Sequence, residues 1–177
     1  MTPNVSFALL DAAVIAGQGE DPVVVSPERT WSHARLLEEV AALGGVLRHL
    51  GVRAGVPCVL DLEDDLDAVV AALATSRVGG VVTTDDDPDA PVVVVSPRSV
   101  LGGGRVRLVR GGGSAVEPPD LDWVVMLRAG RSDPAGCELL DPAAAYAPGR
   151  TVAEEIAVLA GTTAPYDAAD LRALLRA

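Results

Sequence analysis

Arginine supplies every basic side chain in this sequence: the 14 Lys and Arg positions among 177 are all arginine. Three of them, Arg105, Arg107 and Arg110, follow directly on the glycine run Gly102-Gly103-Gly104. A guanidinium is a planar fork of donors that matches phosphate, so Arg105 has the donors for a small phosphate. Arg107 and Arg110 add to it only if the strand and turn point them the same way. The acidic run Asp61-Leu62-Glu63-Asp64-Asp65-Leu66-Asp67 has the donors for a cation. It ends a predicted strand and opens a predicted helix, where carboxylates are stabilised by the helix dipole, and that structural role is the expectation. Asp85-Asp86-Asp87-Pro88 reads as a solvated turn. His33 and His49 lie on one predicted helix too far apart to share a metal, and neither belongs to a Ser/His/Asp arrangement. Cys58 sits in the apolar run Val56–Leu60, which predicts a buried, reduced thiol, and its spacing from Cys137 is not that of metal ligands. The glycine clusters at 102–104 and 111–113 lack the strand-to-helix setting of a dinucleotide loop and read as loop or hairpin glycines.

The elements that must position these residues alternate. A short helix is predicted over Phe7–Ala16, with Phe7, Leu10, Val14 and Ile15 on one side and Gly17 and Gly19 ending it. Pro22–Ser26 is a strand and Pro27-Glu28-Arg29 a turn. Ser32 caps a long helix in which Leu36, Leu37, Val40, Leu43, Leu47 and Leu50 follow helical spacing, and Gly51 stops it. Val56–Leu62 is a strand, Asp65–Arg77 a helix, and Gly80–Thr84 and Pro91–Ser96 two further strands. Beyond Ser96 come a short strand, Val106–Val109, a small helix around Trp123–Leu127, and a Gly, Pro and Asp-rich loop to Pro148. Thr151-Val152-Ala153-Glu154 fits a capping box, and Asp167 can cap a last helix carrying Leu171, Leu174 and Leu175. This order predicts an α/β fold: a three-layer, mostly parallel sheet with flanking helices, joined by right-handed crossovers, and a helical C-terminal tail. The expected division is a lobe over residues 1–150 and a tail, 151–177, packed on the same domain.

Composition narrows the function. Nearly half the residues are apolar but only 3% aromatic, so the core must be built from Val, Leu and Ala, as suits buried parallel strands. A formal net charge of -11 disfavours nucleic acids and anionic membrane faces as partners. Neither a secretory signal pattern nor an apolar run of membrane-spanning length is present, so the expected location is the cytoplasm.

Several short segments resemble adenylate-forming, AMP-binding enzymes, in particular acetyl- and propionyl-CoA synthetases. Asn4-Val5-Ser6-Phe7 through Leu10-Asp11, then Ala16–Asp21, looks like the start of those enzymes. Thr30-Trp31-Ser32 with Leu36 resembles the first core motif, and Arg77-Val78-Gly79-Gly80-Val81-Val82 the second. Gly51–Val56, Gly104-Arg105-Val106 and Cys137–Pro142 also fall in family order. The resemblance covers residues 4–147 and implies the first part of the family's large domain. It also implies that Arg105 matches one of an arginine pair that contacts the phosphate of CoA, with Gly102 in the place of the other.

After Tyr146 the family continues into a Ser/Thr/Gly-rich loop whose backbone N–H groups and lysine grip the ATP phosphates. Here Ala147-Pro148-Gly149-Arg150-Thr151 stands in that place. The later stretch Ala160–Pro165 echoes the loop's lettering without its Gly and Lys, and reads as a turn into the last helix. Adenylation needs charge neutralisation at phosphorus, and the lysine the family uses is absent from this chain. The resemblance therefore implies a truncated acyl-CoA synthetase-like protein without autonomous AMP-forming ligase activity. It would act as a protein-interaction or regulatory module, binding another protein or itself, a full-length synthetase being one candidate. Three other readings stay open: a subunit of a split synthetase, a small CoA-binding protein using Arg105, and a remnant without activity.

Overall fold

The structure, a computed structural model, describes residues 4–26, 29–111 and 116–177. The predicted turn at Pro27-Glu28 and the glycines Gly112 and Gly113 lie outside the described residues. Five strands form one all-parallel sheet in the order β4 (Val81–Thr83), β3 (Pro57–Asp61), β5 (Val92–Val95), β6 (Val106–Val109), β7 (Leu121–Asp122). Two long helices lead into and out of β3: α2 (His33–His49) and α3 (Asp65–Arg77). Each starts where its sequence says. The Ser32 hydroxyl accepts the N–H of Arg35, and the Asp64 carboxylate accepts that of Asp67. Gly51, at φ +97°, takes the left-handed conformation that ends α2.

The sheet is apolar on both faces, as a parallel sheet flanked by connections must be. Cys58, Leu60, Val92, Val94 and Leu108 point into the main core with α2 and α3. Val59, Val93, Val95 and Val109 face the other way, into a smaller cluster completed by Ala90, Leu101 and Val116. Helix α4 (Trp123–Gly130) crosses α2 with backbones in direct contact. A side chain on Gly130 would run into the Ala42 carbonyl, and one on Gly45 into that of Asp133.

The N-terminal segment starts as a π-helical turn, Phe7–Asp11, and continues as α1 (Ala12–Ile15). The wider turn shifts the inward stripe. Leu9 and Leu10 are buried, whereas Ile15, expected on the inner side, is 76% exposed. A separate three-stranded sheet, β10-β1-β2, joins β1 (Pro22–Val25) and β2 (Thr30–Ser32) to β10 (Tyr166–Asp167), which pairs parallel to β1. The stretch before α5 (Val152–Ala160) is a hairpin of β8 (Ala145–Ala147) and β9 (Arg150–Thr151). Helix α6 (Ala168–Leu175) packs on α3, with Leu171 and Leu175 fully buried. Its Arg172 donates to the Asp65 carboxylate and the Leu62 carbonyl. Among the described residues no helix is long and apolar enough to cross a membrane.

Candidate functional site

Three of the segments that carry the resemblance, at Asn4–Asp11, Arg77 and Cys137-Glu138, converge on one buried polar cluster. Arg77, the last residue of α3, is 6% exposed, and its guanidinium forks onto Asp11 with N···O distances of 2.8 and 3.0 Å. The same group donates to the Ala135 carbonyl (2.7 Å), the Ser6 hydroxyl (3.2 Å) and the Cys137 sulfur (3.0 Å). Asn4, fully buried, uses its amide N–H groups on the carbonyls of Ser76, Arg77 and Glu138. Its side-chain oxygen accepts the N–H groups of Ser6 and Phe7, starting the N-terminal helix. Three chain segments far apart in sequence are thus tied together by groups whose donors are spent on one another, so the cluster holds structure and offers no vacant chemistry. Burial pushes the Cys137 thiol up to about 12, with the neighbouring Arg77 opposing, and pushes Cys58 up to about 12 as well. Both cysteines are free.

Arg105 lies at the start of β6, with its guanidinium donating to the Asp86 carboxylate and the Asp87 carbonyl. The acids of the predicted turn are therefore partners of the candidate phosphate ligand. Arg107 donates to Asp120 (3.2 Å) and the Ser99 carbonyl (2.9 Å). Arg110 binds Asp67 at 2.7 Å and lies 5.6 Å from the ring centre of Trp123. Each of the three has its own set of partners, so strand and turn do not gather them on one point. The acidic run serves the helix: Asp64 caps α3, Asp65 pairs with Arg172, and Asp67 pairs with Arg110. Burial raises the Asp67 carboxyl, against the lowering pull of Arg110. His33 sits at the head of α2 with its Nδ1 3.1 Å from the Leu9 carbonyl, a helix-to-helix tie.

At Tyr146 the chain turns into the β8–β9 hairpin. The Tyr146 hydroxyl is buried and donates to the Leu175 carbonyl of α6 at 2.9 Å. Thr151 and Glu154 form the predicted capping box: Thr151 Oγ1 accepts the Glu154 N–H, and Glu154 Oε2 accepts the Thr151 N–H. The next two amides, of Val152 and Ala153, donate to the carbonyls of Ala144 and Pro142. The backbone donors from Thr151 to Glu154 are therefore occupied within the chain. Sequence reasoning missed this hairpin and the buried Glu155, which Arg150 binds at 2.8 Å. The ambiguous Ala/Pro/Gly lettering before Arg150 gave no strand periodicity to read. Thr162, in the stretch that echoes the family's loop, hydrogen-bonds the Leu159 carbonyl and the Tyr166 hydroxyl, closing a turn into β10 and α6.

An open apolar groove of about 1080 Å³ lies between the N-terminal helix and α5. Phe7, Ala12 and Ile15 form one wall, and Ile156, Leu159 and Pro165 the other.

The fold, a parallel sheet flanked by helices, is that of the N-terminal part of adenylate-forming enzymes. Residues 11–88 match the AMP-binding enzyme family. The matching relatives include an acetyl-coenzyme A synthetase of Deinococcus radiodurans, 38% identical over 78 residues, 44% of this chain and 11% of that protein. An uncharacterized protein of Pseudomonas aeruginosa is 34% identical over 84 residues, 44% of this chain and 13% of the relative. Among solved structures, an anthranilate CoA ligase in complex with anthranoyl-AMP superposes with a TM-score of 0.66 at 17% identity, over 81% of this chain and 31% of that one. MatB of Rhodopseudomonas palustris superposes with a TM-score of 0.62 at 18% identity, over 83% and 32%. The chain thus carries an AMP-binding-enzyme-like segment in the fold of the N-terminal part of acyl-CoA ligases. It spans about a third of the length of those solved structures, and the matched stretch about an eighth of the curated relatives.

Proposed function

We propose that this chain is a non-catalytic, acyl-CoA-synthetase-like module that works by binding another protein. The observation that carries the reading is the segment after Tyr146. A site that grips triphosphate needs several backbone N–H groups pointing outward at the anion, and a cation beside them. Here the amides from Thr151 to Glu154 are taken by Glu154, Ala144, Pro142 and Thr151, and Arg150 is bound to Glu155. Opening the segment for phosphate would undo a helix cap and a buried ion pair together. The groove between the N-terminal helix and α5 supplies a docking face of suitable kind, since exposed apolar concavities on proteins mark interaction sites. A CoA-binding reading draws less support, because Arg105 is already engaged by Asp86 and Asp87.

Calorimetry with magnesium–ATP and with CoA should give no binding heat, and pyrophosphate should not be released from ATP with acetate present. Micromolar binding of CoA that Arg105→Ala abolishes would overturn the reading in favour of a CoA site. Pyrophosphate release on adding a second protein would assign the chain to a split ligase. An Ile15→Glu variant that keeps its melting temperature should lose a partner that the unaltered chain retains, including a second copy of itself detected by light scattering.

A further inference from the structure

A second concavity, of about 520 Å³, opens on the opposite chemistry. It lies at the carboxyl ends of the parallel strands, where Asp64 to Asp67 follow β3, Arg110 follows β6 and Trp123 follows β7. The chain leaves β3 for β4 on one side and returns for β5 on the other. In open parallel sheets such a reversal of direction leaves a crevice outside the carboxyl ends, and that is where ligands bind.

Charge assignment inside the cleft is uneven. Its acids are mostly committed: Asp64 and Asp167 cap α3 and α6, and Asp67 and Asp65 are paired with Arg110 and Arg172. Among its arginines Arg110 is paired with Asp67, whereas Arg35 and Arg131 share a single acidic partner. Arg35 from α2 and Arg131 from the end of α4 both bind the same oxygen of Glu39, at 3.1 and 2.7 Å, while Glu39 is only 9% exposed. Two guanidiniums therefore share one carboxylate oxygen, and each is about half exposed, at 57% and 50%, with further N–H groups unused. Arg35 is also held 5.4 Å from the ring centre of Trp31, which fixes its plane. Between the cations and the helix ends the walls are apolar, formed by Trp31, Leu66, Val70 and Leu127.

We infer that this cleft binds a small organic anion, its carboxylate or phosphate head on the exposed donors that Arg35 and Arg131 leave unused beside Glu39 and its apolar body against Trp31 and Leu66. The volume suits a ligand of that size, and an oxyanion that accepts paired N–H···O bonds is the group that guanidiniums recognise. The site is separate from Arg105 and from the groove beside α5, and stands whether or not a protein docks there. The net charge of -11 opposes anion approach at long range, so the measurement belongs at about 0.15 M salt, where such fields are screened.

The chain reports on itself, because its two tryptophans, Trp31 and Trp123, both line the cleft. Titration with phenyl phosphate and with benzoate should change tryptophan emission saturably for at least one of them, and which one identifies the head group. Inorganic phosphate (head alone) and benzyl alcohol (body alone) should bind at least about tenfold more weakly. Arg35→Gln and Arg131→Gln should each raise the dissociation constant about tenfold or more, as expected for loss of a charge-assisted hydrogen bond. Arg53→Gln, at an exposed position outside the cleft, should not. Variants are compared at equal melting temperature or with fraction folded measured by circular dichroism. Absence of saturable change for both aromatic anions up to about 10 mM would overturn the assignment. So would unaltered affinity in both arginine variants, or equal binding of benzyl alcohol or of inorganic phosphate.

Discussion

Replacing Arg77 by alanine should be among the most damaging single changes in this protein, although the residue does no chemistry. The side chain makes five hydrogen bonds, two of them a bidentate pair with Asp11. Arg77 and Asp11 side chains are 7% and 17% exposed, so solvent can replace little of what is lost. Removing one partner of such a pair strands the other charge, at a cost of about 3–5 kcal/mol. For a chain of this size each kcal/mol shifts the melting temperature by about 2–4 °C, so a fall of about 6–20 °C is expected. Thermal unfolding by circular dichroism, paired with urea denaturation, measures it. The companion variant Asp11→Leu and the double variant Asp11→Leu/Arg77→Ala complete a cycle. If charge stranding is the cause, the double variant should be more stable than the sum of the single costs predicts, by about 1 kcal/mol or more. A cost below about 1 kcal/mol for Arg77→Ala, or strict additivity in the cycle, would refute the cluster as the tie between the N-terminal helix, α3 and the 135–138 segment.

Three further outcomes follow from other parts of the fold. Gly130→Ala would drive a methyl group into the Ala42 carbonyl where α4 crosses α2, and should destabilise by about 1–3 kcal/mol in urea denaturation, whereas Gly103→Ala, with open space around it, should stay within about 0.5 kcal/mol. Thr151→Ala should cost about 1 kcal/mol at pH 7 through loss of the α5 cap. Hydrogen bonds from Thr151 hold the Glu154 carboxyl below its ordinary value of 4.5, so its contribution is present above that pH and is lost as pH falls through the depressed value. The Thr151→Ala penalty should accordingly shrink as pH falls below 4.5 into the acid range, and a penalty that stays undiminished throughout would contradict the carboxylate's share in the cap. Cys58 and Cys137, both raised to about 12 by burial, should react slowly with Ellman's reagent at pH 8 in the folded protein and fully in denaturant, and rapid labelling of both would contradict their burial.

Much of the fold was legible because the informative signals are local. Ser32, Asp64, Thr151 and Asp167 act as caps through contacts two or three residues away, and such contacts can be read from spacing alone. The apolar runs Val56–Leu62, Pro91–Ser96 and Val106–Val109 predicted parallel strands for the same reason. Most strands of two or three residues were not legible, although β4 falls within the strand expected over Gly80–Thr84. β7, β8, β9 and β10 are too short to show a period, and they exist because a neighbour supplies their hydrogen bonds. Ile15 was misplaced because a π-helical turn, invisible in the residue pattern, rotates the face that follows it.

The candidate site divides the same way. The sequence by itself determined the cationic chemistry, arginine without lysine, and pointed to Arg105 as a phosphate fork through the family resemblance. Only the tertiary structure decided that Arg105 faces Asp86, that Arg77 faces Asp11, and that Arg35 and Arg131 meet on one oxygen of Glu39. A guanidinium has the same donors wherever it stands. Whether they hold the fold or await a ligand depends on which carboxylates the packing brings within about 3 Å, and those partners come from distant parts of the chain.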